Sequence, residues 1–106
     1  MKSITSFLPP EIVQVGTSLE EIGIKEIAWD YATVIKIFHI IQRDKCFVIG
    51  GDVYKTVSGN VESTYDSWYA NKSEMTAEES LWMARKFIED YHQRQGDGYL
   101  YTVVVG

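Results

Sequence analysis

Two aspartates stand where acid/base chemistry could be done. Asp52 follows Gly50-Gly51, and Asp66 sits inside Thr64-Tyr65-Asp66-Ser67-Trp68-Tyr69. A carboxylate pair can share a proton-transfer step if both groups reach one substrate. A plainer reading competes at each position. Aspartate after a glycine pair caps or turns the backbone through local hydrogen bonds, and Asp66 can cap a turn. The glycine pair itself could cradle an anion with backbone amides. It lacks the spacing of a dinucleotide loop, and a bulge or tight bend explains it equally well.

Other chemistry finds less support. His39 and His92 are the only histidines, and Cys46 is the only cysteine. No spacing among them resembles a zinc site, so no metal or cofactor is expected. His39 lies in an apolar run and reads as packed or partly buried. His92 falls near a helix C-terminus, where it complements the dipole. Cys46 opens the apolar run Cys46-Phe47-Val48-Ile49 and reads as a small hydrophobe. There is no nucleophile elbow and no Walker loop, and no catalytic residue is assigned.

The aromatic cluster remains. Tyr65, Trp68 and Tyr69 fall within one short run, with Asp66 among them and Glu62 just upstream. Tyrosine and tryptophan are enriched at interface hot spots, and neighbouring carboxylates suit a basic partner. Trp68 is expected to point inward and Tyr69 outward. The candidate contacts are Glu62, Asp66, Tyr69 and Glu74, with Asp52 beside them.

These residues need elements to hold them. The chain has 106 residues and a formal net charge of −5. That length suits one domain, 1–106, with a core that needs no disulfide. The acidic balance argues against direct nucleic-acid or anionic-membrane binding. The N-terminus lacks the apolar run of a signal peptide, and no segment is long enough to span a bilayer.

Pro9-Pro10 excludes a regular helix interior, and residues 11–15 read as a short strand. Ser18 to Glu21 starts a short helix that stops near Gly23. Asp30 is the N-cap of a long helix over 31–42, with Arg43-Asp44 as its break. Residues 45–49 read as a buried strand. Gly50-Gly51-Asp52 interrupts it, and 53–57 resumes it. Ser58-Gly59-Asn60 is a turn signal, and 61–65 is the returning arm. Thr76-Ala77-Glu78-Glu79 is a capping box, followed by a stripe at Ala77, Leu81, Ala84, Ile88 and Tyr91. Residues 99–105 read as a final inner strand. The expected class is α+β, a small central sheet of about four strands with two main helices packed on it.

Two stretches also carry a resemblance. Val48-Ile49-Gly50-Gly51-Asp52-Val53-Tyr54, followed by the Thr64–Tyr69 run, resembles the signature of immunity protein family 40 of bacterial polymorphic-toxin and contact-dependent growth inhibition systems. The run from Glu20 to Trp29 is similar to that family's N-terminal portion. The resemblance implies a cytoplasmic antitoxin whose partner is the C-terminal domain of a cognate toxin. Many such toxins are basic nucleases, which would suit the acidic balance. It implies a structural role for Gly50, Gly51, Tyr54, Tyr65 and Trp68. Two other classes stay open: a small hydrolase using Asp52 and Asp66, and a small-ligand regulatory module built on the Gly-Gly turn and nearby aromatics.

Overall fold

The computed structural model describes residues 3–106. Leu8 and a short helix α1 (Pro10–Gln14) open the chain against the core. A strand was expected over 11–15. Proline at the first helical position presets the backbone for a helix instead, and Ile12 and Val13 pack on the core from it. Strands β1 (Thr17–Ser18) and β2 (Ile27–Ala28) pair antiparallel. They flank a 3₁₀ turn, Glu20–Ile22, that ends on left-handed Gly23.

Helix α2 (Tyr31–Asp44) begins where the sequence indicates, with the Asp30 carboxylate accepting from the Thr33 amide. It runs past Arg43-Asp44. The break comes at Lys45, which is left-handed and donates its N–H to the last turn. Arg43 and Asp44 have ordinary helical propensity, so the chain stops only where the carbonyls are capped. Val34, Ile37, Phe38 and Ile41 face inward, and Ile35 and Ile40 are half-buried on the flanks. His39 falls on the opposite side and is exposed, against the expectation that it packs. A residue midway between Ile37 and Ile41 points away from their shared face.

Strand β3 (Val48–Val57) passes through Gly50-Gly51 without interruption. It turns at Ser58-Gly59, both at positive φ, into β4 (Asn60–Tyr69). The returning arm is thus longer than expected, reaching Tyr69. Helix α3 (Ala77–Gln95) carries the full reciprocal capping box of Thr76 and Glu79. Its stripe buries Ala84, Ile88 and Tyr91, and His92 stacks face to face on Tyr31 of α2 at 3.9 Å.

The final segment is two strands, β5 (Tyr99–Tyr101) and β6 (Val104–Val105), both pairing with β3. The inner strand is therefore β3, with β4 on one side and β5 and β6 on the other. Tyr101 also bridges Trp29, tying the small sheet to the large one. One inner strand over 99–105 was expected. The segment breaks because the Thr102 hydroxyl and amide bond to the backbone of Asp52.

Strand alternation sends apolar side chains to both faces of the sheet. Val53, Trp68 and Tyr101 join α2 and α3 in the main core. Tyr54, the next residue of β3, belongs to a second cluster with Leu19 and Ala28, packed by Ile24, Val61 and Leu100. The segment of β1 and β2 thus covers part of the face opposite the helices. The architecture is α+β, as expected.

Candidate functional site

The Gly-Gly pair and the aromatic run are neighbours across the β3–β4 ladder. Gly50 lies opposite Tyr69, Gly51 opposite Trp68, and Asp52 opposite Ser67. The glycines are there for space. A Cβ on Gly51 would fall 2.0 Å from the Thr102 carbonyl oxygen and 2.4 Å from the Trp68 ring; one on Gly50 would fall 2.2 Å from the Trp68 carbonyl. Their amides lie within a continuous strand rather than a turn, so they form no anion-cradling nest. Trp68 fills the room this leaves. It is 7% exposed and packs on Phe87 of α3. Tyr54 is buried in the second cluster.

Register changes beyond Ser67. Tyr54 pairs with Ser63, so Thr64, Tyr65 and Asp66 together face the single residue Val53. This is a β-bulge with two extra residues on β4. Thr64 holds it shut: its hydroxyl donates to the Val53 carbonyl at 2.8 Å and accepts from the Asp66 amide at 3.1 Å. Tyr65 takes up the strain at φ 65°. Its backbone shapes the bulge, but its ring departs from the structural role expected of it and is 92% exposed.

Asp66 emerges on the helix side of the sheet, where its carboxylate accepts from the Tyr91 hydroxyl at 2.9 Å. Burial, more than this contact, pushes the Tyr91 hydroxyl's pKa up. Asp52 leaves the other side, near Glu26 and Tyr54. There, burial first and Asp52 second raise the pKa of Glu26. The two aspartates do not converge, so they form no acid/base pair.

The remaining candidates are spread along the same edge. Tyr69 lies on the Asp52 side and is 71% exposed, as expected. A shallow depression of about 230 Å³ lies beside it, lined by Ile49, Gly50, Gly51, Asp52, Ser67 and Tyr69 among others. Glu62 is opposite Lys55 on the helix side. Glu74 lies beyond β4, in a turn where its amide donates to the Asn71 carbonyl. Among the described residues the ion pairs are Arg43–Asp44, Arg85–Glu89 and Lys86–Asp90. None involves Asp52, Glu62, Asp66, Glu74 or Glu26.

Sequence reasoning missed three features. Glu26 is placed beside Asp52 only by the fold-back of β2. The Thr64 latch depends on register. Trp82 is 69% exposed on α3, and a departure from the apolar stripe could have flagged it. Cys46 is half-buried against the core.

Among the described residues no helix is long and apolar enough to cross a membrane, and no group of three or more His, Cys, Asp or Glu side chains gathers as metal ligands do. No curated protein and no solved structure matches the chain. The family model for immunity protein 40 does match, over residues 18–105, a span that includes both β3 and β4 and both long helices, and the chain belongs to that family.

Proposed function

We propose that the protein is a cytoplasmic immunity protein, acting as one unit over 1–106, that binds a cognate toxin domain stoichiometrically and neutralises it. Family membership carries this reading. The toxin is basic, and a nuclease is the class that best suits the charge of −5. Exposed tyrosines beside carboxylates that have no ion-pair partner among the described residues support a protein contact of this kind. A basic partner would supply the missing counter-charges and be drawn in by the opposite field. The contact surface is the β4 side of the sheet, with Asp52, Glu62, Asp66, Tyr69 and Glu74 as the residues to test. An interface of standard size would bury about 1,600 Å² in total.

The experiment is recovery of the tagged protein from its native host, followed by mass spectrometry. The C-terminal fragment of a large secreted toxin is expected to co-purify. Its absence from cells shown to make such a toxin would remove the reading. Charge reversal at Glu62 and Asp66 is then expected to weaken that complex at least tenfold, about 1.4 kcal/mol. Stability would fall by the loss of the Tyr91–Asp66 bond, about 1 kcal/mol, and by about a few tenths of a kcal/mol more from setting a cation opposite Lys55. Unchanged affinity in both variants would move the contact elsewhere.

A further inference from the structure

The outer edge of β4 is an open strand, and its hydrogen-bonding pattern identifies the groups it offers. In an antiparallel ladder, backbone groups alternate between facing the partner strand and facing away. The amide of Asp52 donates to the Thr102 hydroxyl and its carbonyl accepts from the Thr102 amide, so both point away from β4. Ser67, directly opposite Asp52, therefore turns its own N–H and C=O outward. The Ala70 amide donates inward to the Ile49 carbonyl, so Tyr69, one residue earlier, also faces outward. On the far side of the bulge, the Thr56 amide points to Gly98, which turns its partner Val61 outward; Ser63, two residues on, follows.

Protein sheets usually blunt such an edge with lysine, proline or a bulge. Over Asn60–Tyr69 there is no lysine and no proline. The bulge at 64–66 divides the edge into two short stretches without covering either. Ser67 and Tyr69 are both exposed, Tyr69 ends the stretch with an open ring, and Tyr65 stands just before it with another.

We infer that the Ser67–Tyr69 stretch receives an extended segment of the partner, which adds a strand to the sheet and carries lysine or arginine. This deepens the binding role proposed above and rests on it. Main-chain bonds would hold the segment, and the flanking side chains would select it. Charge chooses the occupant. The edge strand bears Glu62 and Asp66 and no cation. Two copies pairing across a two-fold axis would set two acidic edges side by side, whereas a basic segment meets them favourably.

The test uses the full chain, labelled for amide exchange, and two short peptides: one alternating lysine with valine, its counterpart alternating glutamate with valine. With the lysine peptide in about tenfold excess over its Kd, exchange at the Ser67 and Tyr69 amides is expected to slow about tenfold. Trp68, already bonded inward, should not change. Ser67→Pro removes an outward N–H that the fold does not use, so the chain should stay folded while the response at Tyr69 disappears. In Tyr69→Pro, which has no amide at 69, the response is read at Ser67 and is expected to disappear likewise. No slowing under saturating lysine peptide would overturn the inference. So would an equal response to the glutamate peptide, or a dimer that protects both amides without peptide. Recovery of a toxin from the host reports the partner wherever it docks, so the two proposals fail separately.

Discussion

At the scale of single residues, the motif divides between space and charge. Gly51 is small because the Trp68 ring and the Thr102 carbonyl occupy the place of a side chain. Gly51→Ala is expected to cost roughly 1–3 kcal/mol by overpacking, read as a lower urea midpoint. Glu26 expresses the opposite pressure. Its pKa lies above 4.5 because burial and then Asp52 disfavour the anion. The folded chain thus keeps this proton to higher pH than the unfolded chain, and stability is lost as pH rises through that range. Glu26→Gln is expected to stabilise the protein at about pH 7 and not at about pH 3, by no more than about a few tenths of a kcal/mol because solvent screens this half-buried site. Denaturation at the two pH values checks the sign. None of this could be read from Gly-Gly-Asp alone. The spacing announced a special backbone, but what pressed on it came from Trp68, Thr102 and Glu26, each remote in sequence.

Among the elements, the capped helices were the most legible. Asp30 and the Thr76–Glu79 box act locally, so their signals survive folding. The stripe of α3 likewise fixes its inner face within a few residues. Strand limits were less legible, because pairing decides them. Gly50-Gly51 looked like an interruption and is the middle of β3. Residues 99–105 looked like one inner strand and are two, beside β3. Of the candidate site, the inward Trp68 and outward Tyr69 were legible from the run itself, while the opposed faces of Asp52 and Asp66 were set by cross-strand register, which the two-residue bulge leaves in phase. That bulge makes its own prediction. A left-handed backbone costs a bulky residue about 1–2 kcal/mol, and glycine's extra freedom in the unfolded chain returns about 0.5–1 kcal/mol of that. Tyr65→Gly should therefore stabilise the fold by about 0.5 kcal/mol net. If the exposed ring is held there for binding, the same change weakens the toxin complex. A stabilised variant with full affinity would show that the ring does not contribute.

Over the whole molecule, charge and shape favour one side. The helices cover one face of the sheet, β1 and β2 cover part of the other, and the β4 edge is left between them. With a net charge of −5, association with a basic toxin is expected to slow by about tenfold or more from low to physiological salt, with dissociation changing less. Stopped-flow mixing at several ionic strengths measures this; a salt-independent rate would deny the steering. The three tryptophans provide a reporter of where the partner lands. Trp29 and Trp68 are buried and emit from apolar surroundings, while Trp82 stands in solvent on the face of α3 turned away from the core. Acrylamide should quench only the red-shifted Trp82 component of the free protein. A partner seated on the β4 edge leaves that component open to the quencher, and one seated on α3 shields it, so the unmodified protein carries its own optical marker of the docking face.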